Sequence, residues 1–482
     1  MLDIKLHQPV IQIVRIQIIA YRRFNRHHVR INRRLNVLCY TMLRLKKDSG
    51  RVTLHPVLQL ALDFVDLERA VEVCGEAVEG GVDWIEVGTP LIKSEGLNAV
   101  RVMRENFPHH KIVADMKTID AGRVEVECAA KAGANIIDVL GTASDATIFE
   151  CVDAAENYGA EIVVDMIEVG DPIARAQAAE AAGANYIAVH TAIDVQMTGG
   201  DPFSVLEQVC RSVSIPVACA GGINSETAAQ AIAHGASIAI VGGAIIKSRD
   251  ARAAAAEIKE AMSSGIPKAT TLYKRVDEGN VREALEMVST ANISDAMHRS
   301  GDLAGLRPVV PGAKMVGPVV TVRTYPGDWA KPVESIDVAN EGEVIVIDAG
   351  GIGPAMWGEL ATHSAIQKKI AGVAADGAVR DTPEIIQLRF PVWSSLVMPT
   401  AGEPKGFGEI NVPIKIGGVR IQPGDWAVGD DDGVVIVPGA RAAEFANRAM
   451  DVLEKENRLR GEIHRGRTLS QVAYLEKWEK KK

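Results

Sequence analysis

A chain of 482 residues is too long for one hydrophobic core, so at least two domains are expected. Hydrophobic residues make up 47% and aromatics only 4%, which excludes a disordered chain and points to Ala/Val/Ile/Gly-rich α/β architecture rather than a β-sandwich. The net charge of −9 hides an asymmetry: the first 50 residues hold 11 Lys/Arg against 2 Asp/Glu, or +9, so the remainder carries −18. An acidic body excludes nucleic acid as the main partner.

Residues 1–51 read as a basic extension, either disordered or lying ahead of the functional start. Their longest apolar run, Pro9 to Ala20, is broken by Arg15 and is neither a membrane span nor a signal peptide. The six cysteines (Cys39, Cys74, Cys128, Cys151, Cys210, Cys219) are scattered without a CxxC pair. Reduced thiols, a cytoplasmic location and no membrane partner are expected.

From Val57 one pattern repeats at roughly 25-residue spacing. A short apolar run ends in a polar or glycine residue, and an Ala-rich amphipathic stretch follows. The runs are Val57–Phe64, Trp84–Gly88, Ile112–Met116, Ile136–Leu140, Ile162–Ile167, Tyr186–His190, Val217–Ala220 and Ile238–Val241. Helices such as Leu67–Glu79, Ala121–Ala132 and Pro172–Ala182 lie between them, with glycine stops at Gly133, Gly183 and Gly235. Near-continuous apolar strands alternating with helices imply a parallel sheet covered on both faces. Eight such units over residues 52–264 predict a (β/α)₈ TIM barrel, with a doubly wound sheet as the alternative.

Barrel chemistry sits at the C-terminal ends of the strands. Those ends carry Asp63, Glu86, Asp115 with Lys117 and Asp120, Asp165, His190, Gly221-Gly222 and Gly242-Gly243. Taken alone, Asp115-x-Lys117 reads equally as a structural ion pair, His190 as a packed core histidine, and Lys247 as a solvated lysine or a phosphate partner. Their convergence on one mouth favours chemistry. Glycine pairs after the last two strands let backbone N–H groups approach a phosphate. Glu86 and Asp115 are hard oxygen donors suited to Mg²⁺, with Mn²⁺ as a substitute. A metal, a histidine base and a phosphate cradle together point to a sugar phosphate activated as a metal-bound enediolate.

The segments Gln59–Asp63, Ile85–Pro90, Ala114–Gly122, Val189–Thr191, Ala220–Ile223 and Val241–Gly243 resemble the 3-hexulose-6-phosphate synthases of the orotidine-monophosphate-decarboxylase superfamily. The resemblance spans about residues 53–262. It implies aldol addition of D-ribulose 5-phosphate to formaldehyde, giving D-arabino-hex-3-ulose 6-phosphate, and the reverse. Mg²⁺ would sit on Glu86 and Asp115, while Lys117, Asp63 and Asp165 would orient substrate and enediolate and His190 would move protons. Asp120 would reach a partner's site in a homo-oligomer whose sites lie at a dimer interface. The related 3-keto-L-gulonate-6-phosphate decarboxylases are the alternative. They carry a basic residue three positions after the histidine, where this chain has Ile193, and that favours the synthase. Ala192, where synthases often show glycine, is a mild departure.

A linker is expected at 265–287 and a second, mixed α/β domain with β-barrel-like elements at 288–482. Its strands include Val316–Thr324, Glu343–Asp348 and Val434–Val437, and a charged helical tail follows Arg441. Gly350–Gly353, Trp357–Leu360 and Asp376–Asp381 form a second constellation, in which Arg380 beside Asp381 suits a carboxylate clamp next to a metal ligand. With Ile293–Ala296, Pro326–Asp328 and Asp430–Val434, these residues resemble the RraA-like family. That resemblance implies either a metal-dependent aldolase or decarboxylase of a 2-oxo acid, with Glu359 and Asp381 at the metal, Arg380 at the substrate and Glu384 nearby, or a protein-binding ribonuclease regulator. The retained Glu359, Arg380 and Asp381 favour the enzyme.

Overall fold

The computed structural model describes residues 55–198, 200, 202–270, 275–276 and 279–475. The expectation for residues 1–51, Cys39 and part of the 265–287 stretch fall outside them.

Eight parallel strands close into the expected barrel: β1 (Val57–Leu62), β2 (Trp84–Val87), β3 (Lys111–Thr118), β4 (Ile136–Leu140), β5 (Glu161–Asp165), β6 (Tyr186–His190), β7 (Val217–Ala220) and β8 (Ile238–Val241). β1 pairs with both β2 and β8, which seals the ring. The outer helices begin and end where the sequence signals them. Asp66 caps the helix Leu67–Glu79 by accepting from Arg69 N at 2.9 Å, and Gly133 and Gly183 stop their helices at φ 110° and 103°.

Alternate residues of each strand point inward, so the barrel interior is stacked in layers. The lowest holds Trp84, Ile136, Tyr186 and Ile238, and the next holds Gln59, Val113, Val163 and Ala218. Two residues further along the same strands stand Glu86, Asp138, Ala188 and Ile240, and above them Ala61, Asp115, Asp165 and Ala220. The floor is apolar, the mouth acidic. At the floor Trp84 meets Tyr186 edge-on at 5.5 Å, and the Lys111 ammonium lies 4.8 Å from the Trp84 ring.

β3 departs from regular pairing. Its partners on β4 run Val113↔Ile136, Ala114↔Ile137, then Thr118↔Val139, so four residues of β3 advance against two of β4. Lys117 takes up the excess at φ 47°. Such a bulge re-aims a side chain beside a site, and here the lysine turns back over Asp115.

The second half is a mixed sheet built on β9 (Arg307–Pro308), β10 (Met315–Arg323), β11 (Val344–Asp348), β12 (Ala355–Trp357), β13 (Gly372–Val379), β14 (Val392–Val397), β15 (Glu409–Ile410), β16 (Ile414–Ile416), β17 (Val419–Ile421), β18 (Trp426–Asp430) and β19 (Gly433–Val437). The main order is β19-β18-β10-β11-β13-β14-β9, with β12 and β15 on β13 and β10, and β16 and β17 forming a separate hairpin. Trp393 is fully buried at the heart of this half and donates its indole N–H to Asp430 O at 2.9 Å. The tail forms a helix, Ala442–His464. The sequence leads one to expect it to pack on the outside or on a neighbouring subunit. In this chain its buried polar residues (Asn447, Asp451, Arg458, Glu462) bond the barrel's loops and outer helices.

Candidate active site

Four strand ends bring charged side chains to one point in the barrel mouth. Lys117 Nζ lies 3.0 Å from Asp115 Oδ1 and 3.2 Å from Asp165 Oδ2. His190 Nδ1 is 2.9 Å from the same Asp165 oxygen, and Ile167 N donates to the other at 2.9 Å. Asp115 Oδ2 receives the Thr89 hydroxyl at 2.7 Å and its N–H at 3.1 Å. Below, Gln59 Nε2 donates to Glu86 Oε2 at 2.5 Å.

The electrostatics sort these groups. Burial pushes the Glu86 carboxyl up to about 8, helped by Asp115 and Asp63. Asp138, buried on β4, is raised well above the usual carboxylate range by desolvation and by Asp165 and Asp115, and its Oδ1 has no hydrogen-bond partner. Burial works in the same direction on Asp165, but the His190 bond and the charges of His190 and Lys117 hold it below its ordinary value. Lys117 stays protonated: Asp138, Asp115 and Asp165 outweigh the cost of its burial and raise it far above neutral. Asp63 stands at the open mouth, where surrounding protein and Asp115 raise its carboxyl, an effect tempered by its exposure to solvent.

Five carboxyl groups therefore face one lysine and one histidine, and one carboxylate oxygen is orphaned. Hard oxygen donors with a deficit of positive charge fit a divalent cation such as Mg²⁺ or Mn²⁺. Among the described residues no three His, Cys, Asp or Glu side chains cage an ion by themselves.

The glycines shape the rim. A Cβ on Gly88 would lie 2.3 Å from Asp63 Oδ1 and 2.8 Å from Leu62 O, so the Asp63 carboxylate occupies the space a side chain would need. Gly88→Ala is expected to destabilise the fold by about 1–3 kcal/mol through overpacking and to displace Asp63. A denaturant melt beside a substrate titration would check it, and an unchanged melt would contradict the close approach. Gly221 and Gly222 take φ 100° and 73°, and a Cβ on Gly221 would strike Thr191 O at 2.6 Å. Gly242 borders Asp63, and the Lys247 ammonium lies over Gly243. Asp120 stands apart from this cluster: it is exposed and accepts from Ala121 N at 2.7 Å.

In the second half, Asp381 contacts the backbone of Glu359 and the side chain of its neighbour Arg380, while the Glu359 carboxylate faces His363. Asp381 Oδ2 accepts the Glu359 N–H at 3.2 Å and lies 3.4 Å from Arg380 Nε. Glu359 Oε1 is 3.4 Å from His363 Nε2. Asp381 is held at φ 58°, an uncommon conformation for a non-glycine residue. Glu384 is exposed one turn on.

Residues 56–258 match the pattern of the Orotidine 5'-phosphate decarboxylase / HUMPS family, and residues 290–436 match RraA-like, described as Aldolase/RraA. The 3-hexulose-6-phosphate synthase of Bacillus subtilis (strain 168) is 41% identical over 209 residues, covering 43% of this chain and 99% of that protein. The chain belongs to the 3-hexulose-6-phosphate synthase family. The enzyme of that name from Methylomonas aminofaciens is 43% identical over 201 residues, covering 42% of this chain and 96% of its own length. The solved structure of the RNA-processing inhibitor RraA from Thermus thermophilis is similar at 29% identity and TM-score 0.30, covering 31% of this chain and 92% of that one. Synthase-family members of this kind are thus spanned almost end to end by the barrel alone.

Two interior residues that contact or face the mouth cluster escape a reading by strand ends. Asp138 and Gln59 lie mid-strand, and only their position in an alternating pattern of inward residues would have singled them out. An aspartate inside the apolar run Ile136–Leu140 was the available signal.

Proposed function

We propose that the barrel adds D-ribulose 5-phosphate to formaldehyde, giving D-arabino-hex-3-ulose 6-phosphate, and catalyses the reverse cleavage. The observation that carries this reading is the Asp115–Lys117–Asp165–His190 array, in which a permanently charged lysine and an oriented histidine share one carboxylate. Glu86 and Asp115 would hold the divalent cation, which supplies Lewis acidity toward the pentulose oxygens. Lys117 is too firmly protonated to act as a base and instead faces the oxygen that gains charge. Ionised Asp165 accepts Nδ1–H of His190, leaving Nε2 as the basic nitrogen. Nε2 takes the proton from C1, the enediolate carbon attacks formaldehyde, and the new alkoxide recovers a proton. Backbone N–H groups of Gly221-Gly222 and Gly242-Gly243 receive the phosphate.

Ile193, three residues after His190, is apolar and 57% exposed, so it offers no cation for a substrate carboxylate. That supports the synthase over decarboxylation of 3-keto-L-gulonate 6-phosphate. An assay of both substrates with and without EDTA tests the reading. Turnover of the gulonate ester alone would reverse it, and full activity in EDTA would remove the metal.

In this reading the chain is a fusion of modules at 52–264 and 288–482 joined by 265–287. The barrel pairs with a second copy so that Asp120, beside exposed Ile119, Val124 and Phe149, enters the partner's site. For the second half, the Glu359–Arg380–Asp381 grouping favours a metal-dependent lyase of a 2-oxo acid, with Arg380 gripping the carboxylate. Protein inert toward oxaloacetate plus Mg²⁺ yet able to retain a ribonuclease would favour the regulator instead.

A further inference from the structure

The helix Ala442–His464 lies beyond both matched spans, which end at 258 and 436, and the single-barrel relatives have no sequence left to supply it. It has two buried faces. Phe445, Ala446, Ala449 and Met450 pack into the core of the second half. Asn447, Asp451, Arg458 and Glu462 are polar yet at most 7% exposed, and buried polar groups persist only with partners.

The partners are on the barrel, beside the mouth. Asn447 Nδ2 donates to Met197 O at 2.8 Å, at the end of the segment that follows His190, while its amide also bonds Val276 N and O. Arg448 reaches Asp194 in the same segment at 2.9 Å. Asp451 pairs with Lys247, the cation lying over Gly243, and its other oxygen takes Lys455 at 2.9 Å. Burial opposes ionisation of Asp451, but Lys247 and Lys455 bring its carboxyl down to about 2, so the pair persists at any working pH. Arg458 donates to Ser248 O, and Glu462 holds Arg69 at 2.9 Å. Behind Lys247 lies a cavity of about 500 Å³, lined in part by Ser225, Ala244, Lys247, Asp250, Glu454 and Asn457. The segment after β8 thus has two supports: Ile245 and Ile246 pack into the barrel core, while Lys247 and Ser248, beside the cavity, are held by polar contacts to the helix.

We propose that the helix Ala442–His464 is a positioning element of the sugar-phosphate site: Asn447, Asp451 and Arg458 hold the loops after β6 and β8 in the shape that receives the phosphate. The inference rests on the reaction proposed above. Without these anchors, the loops would have to be ordered at the expense of binding. In the full chain, Asp451→Asn should raise KM for ribulose 5-phosphate about tenfold, the scale of one buried charge-assisted contact, with kcat changed less than about twofold. Amides of 193–198 and 243–250 should exchange with deuterium faster than in the wild type. Unchanged exchange, faster exchange with unchanged KM, equal loss in kcat, or a lowered KM (which would make Asp451 a competitor for the phosphate cation) each overturns the proposal. Should Asp451→Asn fail to fold, Asp194→Ala removes the exposed Arg448 bridge alone and should speed exchange in 193–198. If the wild type does not act on ribulose 5-phosphate, the reaction reading falls, and the exchange comparison still decides whether the helix orders these loops.

Discussion

Asp115→Ala is expected to lower the rate of formaldehyde addition by about 10³-fold or more, the scale of removing a charge-stabilising group from a preorganised site. The fold should survive, because the side chain bonds mouth residues (Thr89 and Lys117) and carries none of the barrel's backbone ladder. Two losses combine. A hard oxygen donor disappears, and Lys117 loses one of its two carboxylate ion pairs, keeping that to Asp165 and the nearby charge of Asp138. His190→Ala should also lose activity, by about 10²- to 10⁴-fold as for a general base, but should keep its response to added Mg²⁺. Initial rates against metal concentration in both variants, with a melt to confirm folding, separate the roles. Full activity in either would sink the site assignment.

The second large effect is a coupling of pH to metal. The Glu86 carboxyl stands at about 8 in the metal-free fold against an ordinary 4.5. The folded chain therefore binds more protons than the unfolded chain between about pH 4.5 and 8, and metal-free stability should fall as pH rises through that window. A cation must displace the Glu86 proton, so its affinity should weaken by up to tenfold per unit as pH drops below 8. In EDTA the melting temperature should be lower at pH 8 than at pH 6, and the rise on adding Mg²⁺ should be larger at pH 8. A rise that shrinks with pH would show that Glu86 is not displaced by the ion.

Much of the fold is legible in the sequence because each barrel strand is a short apolar run bounded by turn chemistry. Leu67–Glu79 and Pro172–Ala182 fall where caps and glycine stops put them. The mouth is legible in part. Period-two spacing aligns Asp115 with Lys117, yet the actual contact comes from a bulge with φ 47° at Lys117, and nothing local announces it. Asp138 hides because a lone aspartate in an apolar strand looks like a solvated edge until the barrel closes around it. The contacts of the tail are equally hidden. Nothing local in a charged helical segment marks Asn447, Asp451, Arg458 and Glu462 for burial, which depends on barrel partners up to 393 residues away.

That separation has a consequence for how the protein is made. The barrel leaves the ribosome first, and its own strands are close neighbours in sequence. The Lys247–Asp451 and Arg69–Glu462 pairs span 204 and 393 residues. At synthesis rates of about 5–20 residues per second, a nascent barrel waits on the order of 10 s or more before its closing helix is translated. During that interval the loops after β6 and β8 stand without their anchors. Each molecule thus gains the contacts between Ala442–His464 and its barrel only after the intervening second half has been made.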